Sequence, residues 1–351
     1  MRVLFILKKR NESWGYTGGG SATSGYPSGL LNSASFVCAM LPQIGIQASL
    51  VEVIDNDSID REVAKAKPDV VIVEALWVVP TKFEVLTKFH PKVKWIVRNH
   101  SEIPFLSLEG IGLDWMLQYA LYSNVFISCN RNSSNDDFQF LLGEANPKQP
   151  DGWAKGKVVY LPNFYPTTVG NHSAKSASGF IDISCFGAIR PLKNVALQAV
   201  SALRFADSLG KKLRFHINAS RIENQGEPVL KSLRTLFTHF TRHQLIEHSW
   251  MPHDQFKVLC STMDMGLQVS FTETFNIVAA DMADENVPIV VSTEIDWAAG
   301  ECQVSRITSE SIEATMQAIW KNKLQIAAMN KRNLTQFGTA SRATWRKVLH
   351  P

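Results

Sequence analysis

Phe271-Thr272-Glu273-Thr274-Phe275-Asn276-Ile277-Val278-Ala279-Ala280-Asp281, followed shortly by Val287-Pro288-Ile289-Val290-Val291-Ser292, is the stretch on which the fold turns. A carboxylate stands just before an apolar run with helical character. A second carboxylate follows eight positions later, and a turn then leads into a run that reads as a buried strand. Read as helix, eight residues advance about 12 Å, at about 1.5 Å each. That span matches the separation of sugar and ribose in a nucleotide sugar. The start of such a helix attracts a diphosphate. An ordinary amphipathic helix before a parallel strand shows the same pattern, so the rest of the chain has to decide.

The chain has 351 residues, a length that suits two domains better than one core. Its apolar and charged fractions are those of a globular protein. No run approaches the roughly eighteen apolar residues of a membrane-crossing helix. Met1-Arg2-Val3-Leu4-Phe5-Ile6-Leu7-Lys8-Lys9-Arg10 places its bases after a short apolar core, which reads as a first strand rather than a secretory signal. Five scattered cysteines without a CxxC pair argue against a zinc site or disulfide framework, and fit a reducing cytosol. The net charge of +4 comes from the last stretch, which carries Lys321, Lys323, Lys331, Arg332, Arg342, Arg346 and Lys347. Such a basic terminal helix suits a polyanionic partner or a solvated face.

Strand-like runs occur at Val3–Leu7, Ala48–Val53, Val70–Val73, Trp95–Val97, Val125–Ser128 and Val158–Tyr160. Helical patterns lie between them near Gly29–Leu41, Ile59–Ala66, Pro80–Phe89, Trp115–Tyr122 and Ser134–Leu142. Apolar strands spaced by helices predict an α/β fold with a parallel sheet covered on both faces. Tyr165–Gly179, rich in Thr, Asn, Ser and Gly, reads as a linker. A second alternating unit follows, with strands at Ile181–Phe186, Arg214–Asn218, Met265–Val269 and Ile289–Val291, and Asn333–His350 is helical in pattern. The reading divides the chain into an N-terminal domain 1–168, joined by the helix 333–351, and a C-terminal domain 178–332. Two doubly wound domains imply a ligand cleft at the carboxyl ends of their strands.

Four further stretches carry chemistry. Gly187-Ala188-Ile189-Arg190-Pro191-Leu192-Lys193-Asn194 puts two cations after the first strand of the second domain. His100 ends a strand in Trp95-Ile96-Val97-Arg98-Asn99-His100-Ser101-Glu102. The loop Trp14–Gly29 is rich in glycine, lacks the lysine of a P-loop and interleaves Trp14, Tyr16 and Tyr26, with Lys8, Lys9 and Arg10 leading into it. Asp55-Asn56-Asp57 spells a D-x-D metal signature, but it precedes Ser58-Ile59-Asp60 and reads as a helix cap at Asp57 or Ser58. No His/Cys cluster supports a metal.

Taken together, these residues resemble the family 4 retaining glycosyltransferases of the GT-B fold, two Rossmann-like doubly wound domains facing a cleft. Glu273 and Asp281 match the family's Glu-x7-Glu motif, with Asp281 for the second Glu. Thr274 and Asn276 stand where the family has glycines, and Asn286 stands for the Gly before the Val-Pro turn. Gly187 to Asn194 is similar to the family's Gly-x-x-x-x-x-Lys-Asn signature. Val159-Tyr160-Leu161-Pro162-Asn163-Phe164 is similar to its interdomain Ile-Pro-Asn-Gly, with Phe164 for Gly.

The resemblance implies a nucleotide-diphosphate sugar donor, a hexosyl- or pentosyltransferase activity, and no cofactor or metal. The implied catalytic residues are Glu273, His100, Lys193 and Arg190. The donor would meet Gly19, Gly20, Arg190, Lys193, Met251, Glu273, Thr274, Phe275, Asn276, Ile277 and Asp281. In this scheme Arg190 and Lys193 neutralise the leaving diphosphate, where fixed cations act most strongly. Glu273 holds sugar hydroxyls, Asp281 holds the ribose, and His100 faces the donor sugar. Lys8, Lys9, Arg10, Tyr16, Tyr26 and Glu102 are the candidates on the acceptor side.

The N-terminal half further resembles glycosyltransferases of tailed bacteriophages. That implies a partner in duplex DNA with hydroxymethylated pyrimidines and a place in the host cytoplasm. A transferase acting on a cell-surface polysaccharide, and a non-catalytic sugar-nucleotide-binding GT-B domain, are the competing readings.

Overall fold

Val3, Phe5 and Leu4, Ile6 alternate along the first strand, yet all of them are buried. A strand places successive side chains on opposite faces, so this run has to be covered on both sides. The computed structural model describes residues 1–9, 29–168 and 179–350, and it divides into two compact units. Of the described residues, the first comprises 1–9, 29–165 and 338–350, and the second 166–168 and 179–337.

In the first unit the strands are β1 (Arg2–Lys8), β2 (Gln47–Val53), β3 (Val70–Glu74), β4 (Lys94–Asn99), β5 (Val125–Cys129) and β6 (Val158–Tyr160). They form one sheet in the order β2-β1-β3-β4-β5-β6, with every pairing parallel. The helices are α1 (Gly29–Met40), α2 (Ser58–Ala66), α3 (Lys82–Phe89), α4 (Ile103–Glu109), α5 (Gly112–Tyr119), α6 (Asn132–Ala145) and α7 (Trp153–Lys157). Leu4 and Ile6 join Phe83, Trp95, Tyr119 and Phe138 in one core. Val3 and Phe5 join Val37, Met40, Trp345 and Leu349 in the core on the opposite face. Trp345 Nε1 also donates to Pro162 O at 2.9 Å.

The second unit contains β7 (Phe180–Ser184), β8 (Lys212–Asn218), β9 (Gln244–His248), β10 (Met265–Gln268), β11 (Ile289–Ser292) and β12 (Gln303–Val304). These are again all parallel, in the order β12-β11-β10-β7-β8-β9. Its helices are α8 (Val195–Ser208), α9 (Gly226–His239), α10 (His253–Ser261), α11 (Ile277–Asp284) and α12 (Ser309–Lys321). The long α13 (Lys323–Leu349) begins in this unit.

The strands read from the sequence are present. Two strands escape a pattern search: β9, whose Gln-Leu-Ile-Glu-His is polar at a sheet edge, and the two-residue β12. Asp57 holds the expected N-cap position of α2, and the correction concerns its side chain. Asp57 makes no capping bond and instead accepts from Lys82 Nζ at 2.6 Å. Asp55 takes the capping role, its Oδ1 accepting from Ser58 N at 2.9 Å, Ser58 Oγ at 2.9 Å and Asp57 N at 3.1 Å. Of the linker read at Tyr165–Gly179, residues 169–178 lie outside the described residues.

Candidate active site at the carboxyl edge of the second sheet

The second sheet changes direction between β7 and β10. From β7 the chain builds outward through β8 and β9, and from β10 it builds the other way through β11 and β12. Loops at the carboxyl ends of two such strands part to opposite faces and leave a crevice, where ligands of doubly wound sheets bind. Arg190 and Lys193 follow β7, and Glu273 follows β10, so all three belong to the loops of this switch point.

Gly187 has φ +116°, a conformation that favours glycine, and its N–H donates to Asn218 Oδ1 at 2.9 Å. The chain then pairs with the loop after β8 through Ile189 N to Arg221 O and Glu223 N to Ile189 O, each at 2.9 Å. A tight turn at Pro191–Lys193 ends at Asn194, a left-handed residue with φ 54°. This turn is fastened to the strand carrying the other half of the site. Asn194 Nδ2 donates to Val269 O at 3.2 Å, and Phe271 N donates to Leu192 O at 2.9 Å. Gln198 bridges the two, with Nε2 donating to Lys193 O at 2.7 Å and Oε1 accepting from Val269 N at 2.8 Å. The outcome is an ion pair in which Lys193 Nζ donates to Glu273 Oε1, with side-chain exposures of 13% and 9%. Taking two opposite charges this far out of water carries a desolvation cost that their mutual attraction has to offset.

The expectation of eight helical residues between Glu273 and Asp281 is corrected. α11 begins at Ile277, so Glu273 lies in the turn before it and the helical advance of about 12 Å does not apply. Asn276 is the N-cap, with φ 61°, and its Oδ1 accepts from Ala279 N at 2.9 Å. Its Nδ2 donates to Gln268 Oε1 at 2.9 Å. Phe275 is buried, with its carbonyl accepting from Trp297 Nε1 at 2.7 Å. Thr274 and Ile277 are half-buried beside it.

Asp281 sits in α11 with 1% of its surface exposed, and its Oδ1 accepts from His253 Nε2 at 2.6 Å. Burial opposes a charged His253, but the hydrogen bond and charge of Asp281 outweigh it and raise the imidazole pKa. On the other side, Glu223 joins two cations. Arg221 approaches its Oε1 at 2.6 Å and Arg190 its Oε2 at 3.4 Å. The Arg221 guanidinium lies 4.7 Å from the Trp250 ring centre, and Trp250 N donates to Ser220 Oγ at 2.7 Å. Met251 follows, half-buried.

The sequence reading did not single out Glu223, Arg221 or Gln198, and it gave His253 no role. Asp281 lies 28 residues from His253, Val269 71 from Gln198 and Arg190 33 from Glu223, and no local spacing signals such pairs.

His100, Glu102, Lys8 and Lys9 belong to the first unit. His100 Nε2 meets Glu74 Oε2 at 2.5 Å. Glu102 is buried, and its Oε1 accepts from Ser134 Oγ at 2.6 Å, with Arg131 at 3.8 Å. Lys8 and Lys9 are exposed at the carboxyl end of β1. Arg10, Tyr16, Gly19, Gly20 and Tyr26 lie outside the described residues. Among the described residues no three of His, Cys, Asp and Glu group as metal ligands. No described helix is long and apolar enough to cross a membrane.

No family model matches the chain, and no curated protein matches it in sequence. Solved structures do match. Sucrose-phosphate synthase from Thermosynechococcus elongatus aligns at TM-score 0.71 and 9% identity, over 99% of this chain and 98% of that one. Anabaena HepE in complex with UDP-glucose aligns at TM-score 0.61 and 12% identity, over 99% of this chain and 100% of that one. The pneumococcal O-GlcNAc transferase GtfA, in complex with UDP and GlcNAc, aligns at TM-score 0.54 and 13% identity. That match covers 80% of this chain and 57% of the transferase, so this chain spans little more than half its length. The fold is GT-B: two parallel six-stranded α/β units of the kind these glycosyltransferases share.

Proposed function

We propose that the chain is a retaining glycosyltransferase that moves a hexose or pentose from a UDP-sugar or related donor to a hydroxyl acceptor. The observation that carries the reading is the Lys193–Glu273 pair at the switch point of the second sheet. A sugar diphosphate brings to such a site both anionic oxygens for the cation and hydroxyls for the carboxylate. Arg190 and Lys193 stabilise charge on the departing diphosphate. Glu273 orients the sugar. Asp281, steadied by His253, holds the ribose. Met251 and the residues around Asn276 line the donor, and His100 is assigned to the sugar from the sequence. Two structural neighbours were solved with UDP or UDP-glucose, which supports the donor class. In a front-face mechanism the leaving phosphate takes the acceptor proton, and no protein nucleophile is needed.

The acceptor we propose is a hydroxymethylated pyrimidine in bacteriophage DNA, modified in the host cytoplasm. The exposed Lys8 and Lys9 at the end of β1 support a polyanionic acceptor, and Arg10, Tyr16 and Tyr26 are assigned to the same role from the sequence. The test is a panel of nucleotide sugars incubated with hydroxymethylated and unmodified duplex DNA, read by mass spectrometry. One sugar mass added only to the modified duplex, and persisting in excess EDTA, is the expected result. Transfer to oligosaccharides alone overturns the acceptor. Absence of transfer or donor hydrolysis with every nucleotide sugar overturns the enzyme reading.

A further inference from the structure

Asp182, Arg214, His216 and His248 share one face of the second sheet. Parallel pairing sets Asp182 beside Arg214 and His216 beside Ile246, and alternate residues of a strand point to the same side. One strand over and two residues on leads from Asp182 to His216, and the same move leads from His216 to His248. The side chains follow that diagonal. His216 Nε2 lies 2.8 Å from Asp182 Oδ1, and His216 Nδ1 lies 2.9 Å from His248 Nε2. The planes of the two imidazoles differ by 14°. The path therefore starts inside the sheet, where Asp182 and His216 are poorly exposed, and ends at the half-buried last residue of β9.

Arg214 fixes the acid end. Its Nε and Nη2 donate to Asp182 Oδ1 and Oδ2, each at 2.6 Å. Burial pushes the carboxyl pKa up, but the hydrogen bonds of His216 and Arg214 outweigh it and hold it at about 2. An ionised carboxylate only accepts, so His216 carries a hydrogen on Nε2. In the neutral ring Nδ1 then holds the lone pair and accepts the Nε2 hydrogen of His248. That leaves the lone pair of His248 on Nδ1, which has no hydrogen-bond partner among the described residues. The charged groups facing the two rings are Asp182 from β7 and Arg214 from β8. Asp264 stands behind them, its Oδ2 accepting from Asp182 N at 2.9 Å. From the other side the neighbours are apolar: Phe186 meets His248 edge-on at 5.7 Å, and Phe256 of α10 meets Phe186 at 5.3 Å.

We propose that Asp182, His216 and His248 form a proton relay that inverts the hydrogen-bonding character of the carboxyl end of β9. A proton arriving at His248 Nδ1 forms an N–H bond there, the Nε2 hydrogen of His248 passes to His216 Nδ1, and His216 holds the charge against Asp182. His248 stays neutral, and its Nδ1 changes from acceptor to donor. The step needs no reactant besides the proton. The charge settles on His216 because the carboxylate touches that ring, whereas burial, and then the His216 charge, lower the His248 pKa. The loop after β9, with Trp250 and Met251, starts at this point in the chain. The relay does not depend on the donor reading given above.

Nitrogen NMR of the full chain from about pH 9 to 5 tests the relay, with the signals assigned by their loss in His216→Gln and in His248→Gln. At the alkaline end both rings should be neutral, with hydrogen on Nε2. On acidification one shared transition is expected, in which His216 becomes imidazolium and His248 exchanges Nε2–H for Nδ1–H. Imidazolium at His248 in that transition, an unchanged His248 tautomer, or no proton uptake by the pair in this range overturns the proposal. Asp182→Asn tests the acid end. Arg214 keeps 35% of its side chain exposed and so stays hydrated without its partner. In this variant the first proton should settle on His248, the more exposed ring, and the inversion should be lost. An inversion that survives removes Asp182 from the relay. If the variant does not fold, the titration of the unaltered chain still decides.

Discussion

Asparagine replaces glycine in this chain where the backbone demands it. Asn276 and Asn286, which stand for glycines of the resembling family, have φ of 61° and 53°. Asn is the residue after Gly best able to adopt the left-handed region. Thr274, the third such replacement, is not among the positive-φ residues, which is why a β-branched residue is accepted there. Asn286→Val should therefore lower stability by about 1–2 kcal/mol, and Asn286→Gly by much less, in denaturant unfolding. The Lys193–Glu273 pair separates stability from function in a second test. Lys193→Ala should lower turnover by about 10²-fold or more, and it should also destabilise the fold because the poorly hydrated Glu273 loses its partner cation. Lys193→Met/Glu273→Gln should regain the lost stability and recover no turnover. Recovery of turnover removes these charges from the chemistry. Both residues were legible in the sequence as members of spaced motifs. Their direct pairing was not, since it depends on Gln198 and Asn194 bolting two loops together.

α10 and α11 show what an element contributes beyond its residues. The apolar run after Glu273 was legible as helix, but its start was not, because Asn276 stops the helix by capping it. Capping by a left-handed Asn follows from tertiary context, including its bond to Gln268. The two helices are joined by His253 and Asp281, and this joint titrates. The folded pKa of His253 lies above its ordinary value, burial being outweighed by Asp281. Its stabilising contribution is thus full below the unfolded pKa of about 6.5 and is lost as pH rises through the higher folded value. Stability measured by denaturant from about pH 6 to 9 should decline in that window, and His253→Gln should flatten the decline. Donor affinity should follow the same curve if Asp281 holds the ribose. A wild-type profile no steeper than that of His253→Gln removes His253 from this role.

At the scale of the whole molecule, the strands were legible because sheets buried on both faces force continuous apolar runs, as at Val3–Leu7 and Val70–Val73. Strand order was not, since local sequence does not say which strands become neighbours, and the polar edge strand β9 carried no signal. Charge shows the same division. The basic excess near the C-terminus was legible, yet part of it is engaged internally. Lys331 donates to Asp284 O at 2.6 Å, Lys323 lies 4.1 Å from the Trp320 ring centre and Arg342 4.5 Å from that of Phe164. Arg332, Arg346 and Lys347 are exposed, as are Lys8 and Lys9 at the end of β1. If duplex DNA is the acceptor, each phosphate these cations neutralise releases counterions, and log affinity should fall by about 0.9 per decade of salt for each contact. Reversing Lys8 and Lys9 to Glu should then reduce the slope by roughly 1.8, since two contacts at about 0.9 each are lost. Donor hydrolysis in the absence of DNA should be unchanged, because neither lysine belongs to the Lys193–Glu273 site. Binding titrations of hydroxymethylated duplex from about 50 to 200 mM salt measure the slope directly. A wild-type slope near zero, or one that the double reversal leaves unchanged, removes DNA from the β1 edge and favours an uncharged glycan acceptor.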